Sequence, residues 1–111
     1  MAVKTKRYRA LHTTPLAIRN DEVRAIRVTD RNFVSVAEWA GGEARYREIE
    51  KDGKLTGVNR RVAVRTPKGI RIAKVGDFVV KSEQQFDGKK KVNFYVGKDD
   101  VFEAQFDLVA A

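Results

Sequence analysis

The amino-acid sequence predicts an α+β domain: about five to seven mostly antiparallel strands and one short helix near residues 30–40. Three observations support this fold class. The chain has 111 residues, of which 42% are hydrophobic, which suits one ordinary domain with its own core. Apolar residues alternate with polar ones in short runs between turn residues, as in antiparallel strands. Only one segment has the apolar spacing of an amphipathic helix. The pattern leaves open whether the sheet closes toward a small barrel.

The N-terminal segment is basic and poor in apolar residues. We therefore divide the chain into a basic arm, residues 1–15, and a single domain, residues 16–111. Such an arm is either a frayed terminus or a tail that orders on a partner. No apolar stretch follows it, so it does not resemble a signal peptide, and no run is long enough for a membrane helix. The cations of the arm are Lys4, Lys6, Arg7 and Arg9.

A strand and then the helix are predicted at the start of the domain. The run from Val23 to Val28 is rich in β-branched residues and favours a strand. Thr29 or Asp30 is a suitable N-cap. The following apolar residues fall on one helical face and are Phe33, Val36, Ala37 and Ala40. Gly41-Gly42 ends the helix, since glycine readily adopts the left-handed conformation that follows a helix.

The segment from Glu43 to Gly57 is predicted to begin with a strand, Ala44 to Ile49, and to continue as a loop. A hairpin follows over 61–75, with its turn at Thr66-Pro67-Lys68-Gly69. Period-2 alternation is expected to turn four apolar residues inward, Val62, Val64, Ile70 and Ile72. The same alternation predicts that three arginines share the opposite face of the hairpin, Arg61, Arg65 and Arg71.

The C-terminal third is predicted to hold three further strands. Gly76-Asp77 forms a turn into a buried strand at 78–80, and a polar loop at 84–91 carries three consecutive lysines. A strand follows at 92–96, with Tyr95 as its exposed aromatic residue. Asp99-Asp100 caps a single turn before a closing strand at 102–109.

The net charge of +8 is concentrated in two segments. Residues 1–31 carry +5 and residues 54–91 carry +8, whereas 32–53 and 92–111 are net acidic. A concentrated positive surface attracts anionic partners, here nucleic acid, a nucleotide or an acidic protein face. The candidate anion-binding residues are Arg61, Arg65, Lys68, Arg71, Lys89, Lys90 and Lys91.

The sequence contains no pattern that predicts catalysis. There is no cysteine, which removes thiolate metal sites and cysteine nucleophiles. His12 is the only histidine, and we interpret it as a surface or turn residue. Phosphate-binding glycine loops and nucleophile elbows are missing. We therefore expect a protein that is not an enzyme and that has no cofactor and no metal site.

Two blocks of the chain resemble a family of small proteins common in tailed-phage and prophage genomes. The first runs from Arg31-Asn32-Phe33 to Glu38-Trp39-Ala40-Gly41-Gly42. The second contains Gly76-Asp77-Phe78-Val79-Val80-Lys81, Phe94-Tyr95 and Asp99-Asp100-Val101-Phe102-Glu103, similar to a Gly-Asp-aromatic-Ile-Ile-Lys … Phe-Tyr … Asp-Ile-Phe-Glu pattern. The resemblance implies a phage or prophage origin, with the protein in the cytoplasm of the infected bacterium or in the virion. It implies no catalytic residue.

The leading hypothesis is a non-enzymatic phage accessory protein that binds an anionic partner, nucleic acid or a host nucleotide signal, through the basic hairpin face. The first alternative is a minor structural or decoration component of the virion, and the second is an inhibitor that binds a host protein. A homo-oligomer is compatible with all three hypotheses, and a membrane partner is not expected.

Overall fold

The computed structural model describes residues 4–10 and 22–109 of the chain, and eight strands and two helices lie within those ranges. The strands are β1 Lys6–Ala10, β2 Glu22–Arg27, β3 Glu43–Lys51, β4 Lys54–Thr66, β5 Gly69–Lys74, β6 Phe78–Phe86, β7 Lys89–Gly97 and β8 Phe106–Leu108. The helices are α1 Phe33–Ala40 and α2 Asp99–Gln105. The α+β prediction is confirmed, with more strands and one more helix than expected. The strands form two open antiparallel sheets and no closed barrel.

The N-terminal segment contributes a strand to the larger sheet, whose order is β7-β6-β2-β1-β8. Strand β1 pairs with β2 on one side and with β8 on the other. Residues 6–10 of the predicted arm are therefore part of the sheet and do not extend from it. The smaller sheet has the order β3-β4-β5 and is built from one continuous stretch of chain.

Helix α1 lies where the sequence predicts it, but its N-cap differs from the prediction. The N-cap is Asn32, not Thr29 or Asp30. The Thr29 hydroxyl accepts hydrogen bonds from the backbone N–H groups of Arg31 and Asn32, at 3.3 and 3.2 Å. Thr29 therefore organises the turn that precedes the helix. Gly41 ends the helix in the left-handed conformation, with φ of 64°, as expected.

Both faces of the larger sheet are covered, which gives the core two parts. On one face, α2 and strands β1, β2, β6, β7 and β8 bury a largely aromatic cluster: Val23, Ala25, Phe78, Val80, Tyr95, Phe102 and Phe106, with Tyr8 at its edge. On the other face, α1 and the smaller sheet complete an aliphatic cluster: Val28, Val36, Ala37, Ala40, Val62, Val64, Ala73 and Val79. Trp39 packs beside the second cluster and meets Phe94 edge to face, at 5.2 Å between ring centroids.

Two segments predicted as loops are instead the ends of long hairpins. Asp52 and Gly53 both have positive φ, 56° and 75°, and connect β3 to β4. Asp87 and Gly88 repeat this geometry, with φ of 50° and 74°, and connect β6 to β7. Positive φ at both central residues is typical of the type I′ turn, which favours Asp-Gly and matches the twist of the strands. The polar residues around each turn therefore belong to strands.

The closing strand is shorter than predicted because α2 occupies the first half of that segment. Asp99 and Asp100 lie in the first turn of α2, where a carboxylate is favourable. Phe102 is fully buried, and its ring stacks against Phe78 at 4.3 Å and Phe106 at 4.6 Å. Helical geometry over 99–105 lets Phe102 reach the aromatic cluster, so only 106–108 remain as a strand.

The molecule is elongated. Its Cα radius of gyration is 15.2 Å, whereas a compact domain of this length has about 13 Å. Every residue from 45 to 56 is exposed, so the end of the β3–β4 hairpin projects from the body.

Candidate anion-binding surface

The register of the β4–β5 hairpin divides the arginines that the sequence placed together. Thr66 pairs with Gly69, so each residue of β4 faces a β5 partner of opposite parity. Val64 lies opposite Arg71, and Arg65 lies opposite Ile70. Directly paired residues point to the same side of a sheet. Arg71 therefore lies on the side of the valines, and the prediction that it shares a face with Arg61 and Arg65 is wrong.

The burial of the apolar residues agrees with this register. Val62, Val64 and Ala73 are fully buried, whereas 56% of Ile70 is exposed and Ile72 is half-buried. The expectation that Ile70 and Ile72 face inward with the valines is therefore also wrong. The expectation assumed that even-numbered residues face inward on both strands. The connection between Thr66 and Gly69 holds two residues, so the even-numbered residues of β4 share a side with the odd-numbered residues of β5.

The outer side of the smaller sheet carries seven cations along its strands. Lys51 and Lys54 lie at the end of the β3–β4 hairpin, and the other five form what we call the basic face. Its members are Arg45, Arg47, Arg61, Arg65 and Lys74. Arg45 pairs with Arg61, and Arg61 pairs with Lys74, so these three form one row across the strands. Neighbouring strands are about 4.8 Å apart, which keeps the members of a row close together. Sequence reasoning missed the cations of β3 and Lys74, although Arg45 and Arg47 share the parity of Ile49 in an alternating run.

Little negative charge opposes the basic face. The one acidic residue that the strand pairing places on it is Glu43, whose Oε1 lies 3.3 Å from Nε of Arg45. Arg61 is half-buried, and its Nε makes no hydrogen bond within the described chain. A shallow groove of about 170 Å³ crosses this side beside Gly41-Gly42 and is lined by Arg45 and Arg65 among others. The basic face thus combines concentrated positive charge with accessible guanidinium groups.

The three lysines at 89–91 lie on β7, not in a loop, and are separate from the basic face. Lys90 Nζ is 3.2 Å from Oε2 of Glu83, and Lys81 Nζ is 3.3 Å from the other carboxylate oxygen. The two ammonium groups, Lys90 above all, lower the pKa of the Glu83 carboxyl. Glu83 therefore offsets part of the positive charge of this hairpin.

Two of the predicted arm cations, Lys4 and Lys6, line a different groove of about 410 Å³, to which Arg27 of β2 also contributes. Arg7 and Arg9 lie on β1 and do not line it. Arg27 donates to Asp99 at 2.5 Å and to Glu103, and its guanidinium lies 4.5 Å from the Phe78 ring centroid. These two carboxylates raise the pKa of Arg27, Asp99 having the larger effect. Acidic side chains therefore offset part of the positive charge there.

Three further residues singled out in the sequence are Tyr95, Asp77 and His12, and neither Tyr95 nor Asp77 contributes to the basic face. Tyr95 is buried, at 8% exposure, so the expectation of an exposed stacking residue is wrong. None of the residues that the pairing places on the basic face is aromatic. Asp77 accepts the backbone N–H of Lys74 at 3.0 Å, as expected of a turn aspartate. His12 lies outside the described residues.

Over residues 4–10 and 22–109, no three His, Cys, Asp or Glu side chains are grouped as metal ligands would be. Neither described helix has the length and apolar character needed to cross a membrane. Comparison of the chain with protein-family models, curated proteins and solved structures found no match. The resemblance to the tailed-phage family therefore stays a prediction.

Proposed function

We propose that this protein is a non-enzymatic phage accessory protein that binds nucleic acid in the infected cell through the basic face. One observation carries the proposal: five cations and a single carboxylate share one side of a three-stranded sheet. Such a surface raises the local concentration of a polyanion. Nucleic acid is favoured over a small anion here because the cations are spread over three strands, and only two of the five line the groove beside Gly41-Gly42.

The side chains of the basic face favour contacts with phosphate over contacts with bases. Four of the five cations are arginines, whose planar guanidinium can bind phosphate oxygens in pairs. Recognition of single strands usually relies on aromatic platforms for the bases, and none lies on this face. Phosphate contacts position a protein but carry no sequence information. The expected activity is therefore binding with little dependence on base sequence.

The test is a salt titration of binding to a fluorescently labelled duplex, followed by fluorescence anisotropy. Each neutralised phosphate of B-DNA makes the slope of log affinity against log salt more negative by about 0.9, so five contacts give a slope near −4.5. The variant Arg45→Gln/Arg65→Gln removes two of the five exposed or half-buried cations. Its slope should become shallower, about −2.7, and its affinity should fall for every sequence tested.

A control variant, Arg24→Gln/Arg31→Gln, removes the same charge from exposed residues of β2 and of the turn before α1. It should keep the slope of the unmodified protein. An equal loss of duplex affinity in both variants would show that total charge and not the basic face determines binding. No binding at low salt would reject the proposal.

The projecting hairpin supports a second candidate, a minor component of the virion. Tyr46, Ile49 and Leu55 are exposed on it, at 67%, 47% and 58%. Apolar side chains on a protruding element are suited to docking on a neighbouring subunit. Mass spectrometry of purified particles tests this candidate, and absence of the protein from them would reject it.

A further inference from the structure

A groove of about 400 Å³ lies between β5 and β7, the edge strands of the two sheets. None of the five cations of the basic face lines it. Its walls come from the β4–β5 turn, from β5 and from the end of β7. Its volume falls in the lower part of the range for small-molecule sites, about 300–1,000 Å³.

The floor of the groove is apolar, with contributions from Ile72, Tyr95 and Val96. Their one polar side-chain atom is the Tyr95 hydroxyl, which is buried and makes no hydrogen bond within the described chain. The hydroxyl is protonated at neutral pH, and burial raises the pKa of Tyr95 further, against a smaller opposite effect of Asn93. A flat apolar ligand group is therefore better suited to this floor than a charged group.

The rim of the groove is positive. Lys68, Arg71 and Lys98 line it. Lys98 Nζ is held by the Asp77 carboxylate at 3.1 Å and lies 3.4 Å from the Ile72 carbonyl, so this pair is nearly neutral. Lys68 and Arg71 are exposed, and neither forms an ion pair with any described residue. Beside an apolar floor, the rim thus presents two cations that no described residue pairs.

We infer that this groove binds a nucleoside monophosphate or a phosphate ester of similar size. The aromatic base lies against Ile72, Tyr95 and Val96, and the phosphate is bound by Lys68 and Arg71. Arginine and lysine at one edge suit a compact dianion, because the guanidinium forms paired hydrogen bonds and the ammonium adds a point charge. The volume limits the ligand to about one nucleotide, which distinguishes this site from the basic face.

The experiment is a titration followed by ¹⁵N–¹H NMR with three probes: adenosine monophosphate, inorganic phosphate and adenosine. The monophosphate should shift the resonances of residues 68–72 and 95–98 and bind at least tenfold more tightly than either fragment. Lys68→Gln/Arg71→Gln should weaken its binding by tenfold or more. Arg45→Gln/Arg65→Gln on the basic face should bind it as the unmodified protein does.

Three results would overturn the inference: no shifts with the monophosphate at millimolar concentration, equal affinity for inorganic phosphate, or unchanged binding by Lys68→Gln/Arg71→Gln. Both substituted residues are exposed, and a circular-dichroism melt checks that the variant is folded. The result is independent of the proposed nucleic-acid binding, because each site has its own variant and probe. Loss of duplex binding with retained monophosphate binding, or the reverse, identifies which proposal fails.

Discussion

The contact between the end of α1 and strand β4 leads to the sharpest stability prediction. Gly42 follows the helix, and its backbone N–H donates to the Ala37 carbonyl at 2.8 Å. A Cβ atom built on Gly42 would lie 2.2 Å from the carbonyl oxygen of Ala63. Ordinary contacts begin at 3.4 Å, so Gly42→Ala requires a movement of about 1.2 Å. The atom in the way belongs to the backbone of a paired strand, which cannot rotate aside.

The expected cost follows from that geometry. Overpacking of a well-packed site costs about 1–3 kcal/mol, and a rigid backbone neighbour places Gly42→Ala at the upper end. Replacing glycine by alanine also lowers the conformational entropy of the unfolded chain, which stabilises the folded state by about 0.4–1 kcal/mol. We therefore expect a net loss of about 2 kcal/mol in the free energy of unfolding.

Urea denaturation followed by circular dichroism measures this loss. With a slope of about 1–3 kcal/mol per molar urea, the midpoint of Gly42→Ala should fall by about 1 M. The matched control is Gly57→Ala in β4, where an added Cβ meets nothing within 4 Å and φ is not positive. This control should be neutral or slightly stabilised. A midpoint for Gly42→Ala within experimental error of that for Gly57→Ala would refute the close approach of α1 to β4.

Two further predictions concern the aromatic cluster. Phe102→Ala should lower the free energy of unfolding by about 3–5 kcal/mol in a denaturant titration, because the ring is fully buried and stacked on two others. The control Val101→Ala, at a residue 46% exposed, should change the free energy of unfolding by less than about 1 kcal/mol. Similar losses of stability in the two variants would contradict the packing of α2. Burial raises the pKa of Tyr8 and Tyr95 above the ordinary value of 10.0, so the folded state retains these protons longer than the unfolded state. Stability from this source is complete below pH 10 and should decline as pH rises through the folded pKa values, which denaturation at a series of alkaline pH values measures. Tyr95→Phe should reduce that decline, and an unchanged profile would contradict the buried position of its hydroxyl.

Features set by neighbouring residues could be predicted from the sequence. Helix α1 was identified from apolar residues on one face and from Gly41, whose left-handed φ only glycine adopts at little cost. The turn at Gly76-Asp77 has the same local origin. The predicted capping by Asp99-Asp100 was wrong, because the N-cap of α2 is Lys98 and both aspartates lie in the first turn of the helix. The two Asp-Gly turns carried an equally local signal, since Asp52-Gly53 and Asp87-Gly88 suit the type I′ geometry that they adopt. Interpreting the polar residues around them as loops was wrong because exposed hairpin strands need not be apolar.

Features that depend on pairing could not be predicted in this way. The face on which Arg71 lies depends on whether the turn after Thr66 holds two or three residues, and a change of one residue moves every side chain to the other face. Tyr95 alternates with apolar neighbours, but both faces of its sheet are covered, so alternation did not indicate which side was exposed.

The sequence by itself determined the helix, the turns and the amount and segments of positive charge, because each depends on composition or on residues a few positions apart. Only the tertiary structure decided which cations share a surface. Pairing of β3 with β4 adds Arg45 and Arg47 to the basic face, and packing of β5 near β7 places Arg71 beside Lys98 at the groove. The physical reason is that register and sheet packing are set by contacts between distant segments, whose geometry no local periodicity contains.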